Sequence, residues 1–312
     1  MTFPWKPGID FHHDQDFEEV LTNPFLDIAA RFWDEPRYQA FRICYRSMRR
    51  IDDLVDDRKA AGTALSADEV THYRGLIEAW IDRLRSGDTT DPFLSDFQPV
   101  LQEFSIPCWP WERLANAMIY DLDHDGFARF STFLRYSEGA AISPAAVFMH
   151  LCGVQEREDG TIAPPAFDIR RACRPLALFS YLVHIIRDFE IDHKRGLNYY
   201  ADEHLGERGL SREHLRAVAE GGEIPESLRD LMRLYRRLAD YYRRKARATL
   251  DAHRGMIGPK YRLSLEVIYG LYSLVFERFD PDQGRFAATE LNPEPGEIIA
   301  RLQQVVSEHH SQ

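Results

Sequence analysis

Apolar and polar positions along this chain recur with a period near 3.6 residues, and no stretch of useful length alternates as a β-strand does. The pattern predicts an all-α protein of about ten helices packed around one core. The predicted helices are Asp27–Trp33, Pro36–Asp57, Ser66–Arg85, Pro92–Phe104, Trp111–Asp125, Thr132–Leu151, Phe167–His193, Ser211–Glu220, Glu226–Arg254, Pro259–Phe279 and a last helix from Glu297.

Local signals support this division of the chain. Ser66 and Glu69 have the spacing of a capping box, and Gly87 follows the helix that they begin. The clearest loop is Gln155–Pro165, which is polar and contains Gly160. No repeat and no linker long enough to separate two domains is present, so we expect a single domain spanning residues 1–312.

The composition supports a large core, since 44% of the 312 residues are hydrophobic and 12% are aromatic. The formal net charge is −11 and the sequence pI is near 5.6. General nucleic-acid binding uses a basic surface, so this balance speaks against that class of protein.

Four cysteines, none in a Cys-x-x-Cys arrangement, predict reduced thiols in a cytosolic protein. The first residues show no basic-then-apolar secretion signal. The longest apolar runs, Ala140–Val154 and Pro175–Ile186, are shorter than a membrane span. We expect a soluble, cytoplasmic protein, and the sequence leaves open a weak peripheral contact with a bilayer.

Two distant segments carry pairs of aspartates four residues apart. Asp52 and Asp56 lie in the first segment, and Asp188 and Asp192 lie in the second. Residues at this spacing share one face of a helix, so each segment presents two carboxylates together. The sequence has no GxSxG, Walker A, GxGxxG or HExxH motif, which removes the commonest hydrolase, nucleotide-binding and zinc-protease interpretations.

An isolated acidic pair on a helix is usually a solvated face, but these pairs have unusual neighbours. Apolar residues leave each helix only a narrow polar stripe, and arginines such as Arg49, Arg50 and Arg187 interleave with the acids. Carboxylates and arginines together suit Mg²⁺ ions that bridge a diphosphate to the protein.

Other candidates are weaker. Asp121–Gly126 begins like a calcium loop, but Thr132 stands where that loop needs a bidentate Glu, so we reject this interpretation. Asp121 and Asp125 are four apart and form either a third acidic stripe or a solvated face. The histidine pairs near the two ends, His12–His13 and His309–His310, have no third ligand nearby and are expected to be solvated.

The aspartate segments resemble those of the squalene/phytoene synthases, which are all-α enzymes that join two isoprenyl diphosphates head to head. The segment YRSMRRIDDLVDD is similar to the family's first aspartate-rich motif, with Tyr45 and Arg49 in register. The segment RDFEIDHKRGLNYYADEHL is similar to the second motif and includes Arg187 and Tyr199.

A third segment, FSTFLRYSEGAAISPAAVFMHLCG, resembles the helix that lines the family's substrate tunnel, with Tyr136, Ala140 and Ala141 in place. Tyr272 matches a later tunnel tyrosine. The Met118–Asp121 helix also fits the family, and the resemblance extends from about Pro36 to Phe279. The order and spacing of three motifs make it specific.

The resemblance implies an isoprenoid-synthase-like helical bundle around a central cavity. It implies Mg²⁺ ligands at Asp52, Asp56, Asp188 and Asp192. It implies catalytic roles for Tyr45, Arg49, Tyr136, Arg187 and Tyr272. Substrate would be bound by Arg49, Ala140, Ala141, His184, Arg187 and Tyr199. The implied reaction condenses two farnesyl or geranylgeranyl diphosphates through a cyclopropyl diphosphate to a squalene- or phytoene-type product.

The chain departs from the family where Gln-x-x-Asn usually precedes the second motif, because Tyr181 and His184 stand there. His184 lies one turn before Asp188. Either its ring donates a hydrogen bond that orients a carboxylate or a diphosphate oxygen, which we favour, or its protonation near neutral pH adds a cation beside the leaving group.

Two alternatives remain. One is an enzyme of the same fold that ionises a prenyl diphosphate to give an alcohol or stops at the intermediate. The other is a non-catalytic relative that acts as a binding or assembly protein. The sequence also leaves open the substrate length, the oligomeric state and the use of NADPH, which is needed only if the product is reduced.

Overall fold

The computed structural model describes the backbone of residues 25–60, 65–88, 90 and 92–311, with their side chains except at 56–60, 92 and 93. The helices in chain order are α1 Phe25–Ala30, α2 Glu35–Ala60, α3 Ala67–Ser86, α4 Pro92–Glu103, α5 Trp109–Asp123, α6 Phe130–Ala140, α7 Ile142–Gly153, α8 Ile169–Arg187, α9 Phe189–Lys194, α10 Asp202–Gly206, α11 Arg212–Ala219, α12 Glu226–Ala252, α13 Pro259–Arg278, α14 Ala288–Leu291 and α15 Pro295–His310. The two short strands are β1 Gln155–Glu156 and β2 Ile162–Ala163. The all-α prediction is therefore confirmed.

Helix α8 is the central element of the bundle. It packs against α7, α12 and α13, and nearly all of its apolar side chains are buried. Helix α2 packs against α5 and α7. Because α7 contacts both α2 and α8, it connects the helix that carries Asp52 with the helix that ends just before Asp188.

Buried tryptophans connect distant parts of the core. Trp33 donates from Nε1 to Ser264 Oγ at 2.7 Å, which joins the end of α1 to α13. Trp111 donates in the same way to Ser47 Oγ at 2.7 Å, which joins α5 to α2. A buried indole N–H is costly without an acceptor, so these two bonds fix how the helices pack.

The predicted helix Thr132–Leu151 is wrong, since the structure has two helices separated at Ala141 (φ −114°, ψ −44°). Pro144 explains the break. Proline has no N–H, and its ring clashes with the carbonyl four residues earlier, so a continuous helix across Ala140 is disfavoured. Ser143 Oγ instead donates to the carbonyl of Glu138 at 3.1 Å.

The predicted helix Phe167–His193 is also divided. Helix α8 ends at Arg187, Asp188 has φ −91° and ψ 10°, and α9 begins at Phe189. The bend coincides with a two-pronged contact between the neighbouring side chains of Arg187 and Asp188. Adjacent residues point about 100° apart on a regular helix, so this contact favours a local departure from it.

The predicted loop Gln155–Pro165 contains the small antiparallel hairpin of β1 and β2. Gly160 closes its turn with φ 78°, a left-handed conformation that glycine adopts without strain. Asp159 Oδ1 accepts hydrogen bonds from the amide and hydroxyl of Thr161 at 2.9 and 2.6 Å. The hairpin is thus held by local side-chain contacts that the helical period does not reveal.

The capping signals predicted at both ends of α3 are confirmed. Ser66 and Glu69 form the predicted capping box at the start of α3, and Gly87 ends the helix in the left-handed conformation with φ 68°. All four cysteines are free thiols, of which Cys108 is partly exposed and the others are buried. Within the described ranges, no helix has the length and apolar character needed to span a membrane.

Candidate active site

A cavity of about 290 Å³ lies among α2, α6, α7, α8 and α13. Its wall includes apolar side chains from α7, α8 and α13, such as Met149, Leu176 and Leu265. Nine of the residues predicted from the sequence also line it, namely Tyr45, Arg49, Asp52, Tyr136, Ala140, Ala141, His184, Tyr199 and Tyr272. The described residues that line it come from seven helices, which include α1 and α5, and from the loop that carries Tyr199.

The α2 side of the site presents Tyr45, Arg49 and Asp52, whose spacing places them along one helical face. Arg49 donates from Nη1 to Asp52 Oδ2 at 2.6 Å and from Nη2 to Asp53, which the sequence analysis did not single out. The side chain of Asp52 is 25% exposed and that of Asp53 is 47% exposed. Asp52 is therefore the more enclosed carboxylate, and the side chain of Asp56 lies outside the described residues.

The α8 side is organised by a contact between neighbours in the chain. Arg187 donates from Nε to Asp188 Oδ1 at 2.6 Å and from Nη2 to Oδ2 at 2.9 Å. Burial would raise the pKa of Asp188, but the nearby His184 and the guanidinium of Arg187 outweigh it and lower the pKa. Burial likewise disfavours the charged form of Arg187, and Asp188 more than compensates, so the pKa of Arg187 is raised. Both groups are therefore ionised at neutral pH.

His184 belongs to the same cluster through its Nδ1 atom. Arg187 Nη2 lies 2.7 Å from Nδ1, and Asp188 Oδ2 lies 3.3 Å from it. Arginine can only donate, so Nδ1 accepts and the ring carries its proton on Nε2. Enclosure in the site and the charges of Arg187 and Arg49 outweigh the attraction of Asp188 and lower the pKa of His184 to about 4. We predicted that the ring of His184 donates a hydrogen bond to a carboxylate. At Nδ1 it instead accepts a hydrogen bond from Arg187.

Tyr181 is influenced by carboxylates from both sides of the site. Burial is the main cause that raises the pKa of its phenol, and the charges of Asp121, Asp52 and Asp192 raise it further. Asp52 belongs to α2 and Asp192 to α9. Both aspartate segments therefore contribute to the electrostatic environment of Tyr181, although Arg187, Asp188 and Asp192 are not among the residues that line the cavity directly.

Aromatic stacking fixes Tyr181 in this position. Its ring is nearly parallel to that of Phe133, with centroids 5.4 Å apart and planes 6° apart. It also stacks on His184 at 6.3 Å and contacts Tyr199 edge-on at 6.3 Å. Where the family resemblance leads us to expect two amides, this chain has a stacked phenol and a neutral imidazole.

Tyr136 contributes from α6 and is held by a residue of α5. Its hydroxyl donates to Asp121 Oδ2 at 2.6 Å. Of the two interpretations left open for Asp121 and Asp125, the acidic stripe is wrong, because α5 ends at Asp123 and Asp125 lies exposed beyond it. The rejection of a calcium loop agrees with this geometry, since Asp121 has a phenol as its partner.

The close approach of α5 and α6 depends on Gly139. A Cβ atom at this position would lie 2.2 Å from the carbonyl oxygen of Arg113 and 2.6 Å from the Cβ of Ala117. Only glycine therefore allows the helices to meet at this distance. Ala140 and Ala141 follow at the break before α7, and both line the cavity.

Two further tyrosines line the cavity with their positions set by other aromatics. Tyr45 stacks on Phe41 at 5.6 Å, and Tyr272 meets Phe25 edge-on at 4.9 Å. Burial raises the pKa of both phenols, so neither loses its proton near neutral pH. Neutral aromatic rings can attract a cation without acting as strong bases.

The carboxylates in and beside the site have the chemistry to bind Mg²⁺ together with a phosphate group. Within the described part of the chain, no three His, Cys, Asp or Glu side chains come together as a metal site. Mg²⁺ usually binds through one or two carboxylates and completes its shell with water and phosphate oxygens. Asp52, Asp188 and Asp192 provide such carboxylates, whereas Nδ1 of His184 is taken by Arg187.

Two tyrosines of α12 and the histidine pair at the end of α15 do not belong to this site. Tyr235 is fully buried and its hydroxyl accepts from the amide of Ala201 at 2.9 Å, which is a structural role. Tyr241 is 48% exposed on α12. His309 and His310 lie at the end of α15, and His12 and His13 fall outside the described residues.

Most of this chain matches a known protein family. The family model described as squalene/phytoene synthase matches residues 27–293. A chloroplastic phytoene synthase of an Oncidium hybrid is 25% identical over 203 residues, which are 63% of this chain and 44% of that protein. A 15-cis-phytoene synthase of Synechococcus elongatus is 23% identical over 189 residues, 58% of each protein. The chain thus matches about half the length of these relatives.

Solved structures show the same fold over nearly the whole chain. A dehydrosqualene synthase in complex with ligand aligns with a TM-score of 0.70 at 16% identity and covers 95% of both chains. A squalene synthase from Alicyclobacillus acidocaldarius aligns with a TM-score of 0.61 at 15% identity, covering 91% of this chain and 88% of that one. At these identities the likeness shows the fold.

Proposed function

Because the chain belongs to the squalene/phytoene synthase family, we propose that it condenses two isoprenyl diphosphates head to head in a Mg²⁺-dependent reaction. The observation that carries the proposal is a pair of arginine–carboxylate contacts, one at the cavity wall and one beside it, next to His184, which lines the cavity. Asp52 pairs with Arg49, and Asp188 pairs with Arg187. Arginine binds phosphate oxygens, and Mg²⁺ binds carboxylates together with phosphate oxygens, so a diphosphate with its metal ions would engage both kinds of side chain.

The arginines would hold the diphosphate and the carboxylates would hold the metal. Arg187 uses Nε and Nη2 on Asp188 and His184, which leaves Nη1 to donate to a phosphate oxygen. His184 would add its Nε2 proton as a neutral donor. Bound Mg²⁺ would neutralise the charge that develops on the leaving diphosphate.

The apolar wall would enclose the hydrocarbon chains. Leu176, Ala177, Leu265 and Ile268 line the cavity on α8 and α13 and have no group that reacts with a cation. The rings of Tyr45 and Tyr272 would stabilise the allylic cation by their faces, and their raised pKa values keep them neutral. The second substrate's double bond would then attack the cation and give a cyclopropyl diphosphate, whose ionisation leads to the linear product.

The test is to incubate the purified protein with farnesyl or geranylgeranyl diphosphate, with and without Mg²⁺ and NADPH, and to analyse products by mass. We expect Mg²⁺-dependent pyrophosphate release and a product with twice the carbon number of the substrate. A product mass that changes when NADPH is added would identify reduction. Binding of the substrate without pyrophosphate release would instead favour a non-catalytic relative.

The control variant is Asp52→Asn, which keeps the size of the side chain and removes its charge. We expect it to bind substrate weakly and to release pyrophosphate at a rate near background. Equal turnover in this variant and the unmodified protein would contradict the role of the carboxylates.

A further inference from the structure

A second cavity, of about 180 Å³, lies between α12, α13 and α15. It occupies a different face of α13 from the candidate active site, and the two cavities share no lining residue. Its described wall is mostly polar and carries arginines and glutamates. One water molecule needs a volume of roughly 10–15 Å³, so this cavity has room for a small molecule.

Ser273 is a buried hydroxyl at the wall of this second cavity. The residue is 4% exposed, and its Oγ has no hydrogen-bond partner among the described residues. A serine within a helix often bonds to the carbonyl one turn earlier, but Ser273 does not. An unsatisfied buried hydroxyl is costly, so a partner supplied from the cavity would be favoured.

Arg243 extends from α12 to the same end of the cavity. Its guanidinium carbon lies 5.0 Å from the ring centroid of Phe276, which is one turn after Ser273 on α13. Arg243 donates from Nε and Nη2 to Asp240 Oδ1 at 3.1 and 2.9 Å. Its Nη1 has no acceptor among the described residues, so this nitrogen can donate to a ligand in the cavity.

This end of the cavity carries an excess of positive charge. Asp240 is shared between Arg243 at 2.9 Å and Arg244 at 3.3 Å, so one carboxylate faces two guanidinium groups. The nearby Glu277 is paired with Arg301 at 2.5 Å and adds no net charge. A single negative charge would therefore be balanced here.

The other carboxylates of the wall lie further from Ser273. Glu266 is two turns earlier on α13, or about 10 Å along the helix, and pairs with Arg247 at 2.5 Å. Glu308 accepts from Gln304 Nε2 at 2.8 Å, and it lies toward the start of α13 because the end of α15 is packed there. The end of the cavity at Ser273 is thus its positive end.

We propose that this end of the second cavity binds a small oxyanion, either a phosphate or a carboxylate group, between Ser273 and Arg243. Ser273 donates from Oγ and Arg243 donates from Nη1, and neither contact breaks an existing hydrogen bond. Hydrogen bonds from arginine to an oxyanion are among the stronger ones in proteins. The site goes beyond the proposed function and does not depend on it.

The experiment titrates the full-length protein with inorganic phosphate and, separately, with acetate, using calorimetry in a chloride buffer without Mg²⁺. We expect saturable binding of at least one of these probes. Binding of phosphate alone identifies a phosphate group as the ligand, binding of acetate alone identifies a carboxylate, and binding of both identifies an oxyanion of either kind. No saturable binding of either probe overturns the inference.

Two variants locate the bound anion. Ser273→Ala should raise the dissociation constant about tenfold or more, which is the effect of one hydrogen bond to a charged group. Arg243→Gln should weaken binding at least as much, and Asp240 keeps Arg244 as a partner in this variant. The matched control is Arg237→Gln, which removes one positive charge from an exposed position of α12 outside the cavity and should leave binding unchanged.

The remaining outcomes separate this site from the candidate active site. An anion that binds Ser273→Ala and Arg243→Gln as tightly as the unmodified protein lies elsewhere, for example beside Arg49, and overturns the inference. Equal weakening in Arg237→Gln and Arg243→Gln would show a general effect of charge and would also overturn it. Binding is measured without a prenyl substrate, so a failure of the proposed function leaves this result unaffected.

Discussion

The hydroxyl of Tyr136 donates a 2.6 Å hydrogen bond to a carboxylate oxygen of Asp121, fifteen residues earlier in the chain. The bond joins α6 to α5 at the cavity wall. It also places a phenol and a carboxylate beside Tyr181, whose pKa is raised in part by the charge of Asp121. The pair thus couples the packing of two helices to the charge distribution of the candidate active site.

This bond should be measurable by a double-mutant cycle of Tyr136→Phe and Asp121→Ala, each of which removes one partner of the bond. Hydrogen bonds to charged groups contribute about 1.5–3 kcal/mol, so each single variant should lower the free energy of unfolding. The double variant should lose less than the sum of the two, because the bond is removed once. Urea unfolding of the four proteins gives the coupling, and additive losses would show that the two side chains do not interact in solution.

The next prediction concerns the helix contact that brings this pair together. Gly139→Ala places a methyl group against the carbonyl of Arg113, which cannot move without shifting α5. We expect a loss of about 1–3 kcal/mol in unfolding free energy, as overpacking of a core usually causes. Substrate turnover should fall as well, since Tyr136 and Ala140 are displaced with α6.

Gly75→Ala is the matched control for this substitution. Gly75 lies within α3, and a Cβ there would meet no atom within 4 Å. Alanine is favoured over glycine in a helix by about 1 kcal/mol, so this variant should be more stable than the unmodified protein. Thermal unfolding compares the stability of both variants with that of the unmodified protein. A Gly139→Ala protein as stable as the unmodified one would mean that α5 and α6 are not in such close contact.

The helical period predicted the fold class and one face of the site well. Once the family resemblance singles out Tyr45, spacing places it with Arg49 and Asp52, because residues three, four and seven apart share a helical face. The contact of Arg49 with Asp53 also obeys that rule, but it was not predicted, because the acidic pair recognised in this segment was Asp52 with Asp56.

The parts that could not be predicted depend on contacts between helices. The bond from Tyr136 to Asp121 requires two helices to meet at Gly139, and nothing in the period of either helix reveals it. The break at Ala141 had a local signal in Pro144, which removes a helical hydrogen bond. The bend at Asp188 had no such signal, because it coincides with a side-chain contact between adjacent residues.

The two aspartates of the site should respond differently to neutralisation. Asp52→Asn leaves Arg49 with Asp53 as its partner, and the Asp52 side chain is partly exposed, so we expect little change in stability. Asp188→Asn removes the carboxylate to which Arg187 donates two hydrogen bonds. The side chains of Arg187 and Asp188 are both mostly buried. The expected cost is about 1.5–3 kcal/mol. Equal unfolding free energies for the two variants would contradict this difference, while pyrophosphate release should be lost in both.

The final prediction concerns His184 and the effect of pH. The pKa of the folded-state imidazole is lowered from 6.5 to about 4 by enclosure and by two nearby arginines. The unfolded chain therefore binds a proton more readily than the folded protein between these values. The contribution of His184 to the free energy of unfolding is fully present above about pH 6.5, and it is lost as the pH falls toward about 4. Because 42% of the side chain is exposed, solvent screening reduces the size of the effect.

His184→Asn removes this titration and supplies an amide at the same place on α8. We expect the variant to retain most pyrophosphate release, with the same pH profile as the unmodified protein at about pH 6–7, because the ring is already neutral there. Its unfolding free energy should fall less steeply than that of the unmodified protein between about pH 6.5 and 4. If instead its activity drops and the pH dependence near neutrality flattens, His184 acts as a cation beside the leaving group. Arg187 would then have to release Nδ1, since a protonated ring cannot accept its hydrogen bond.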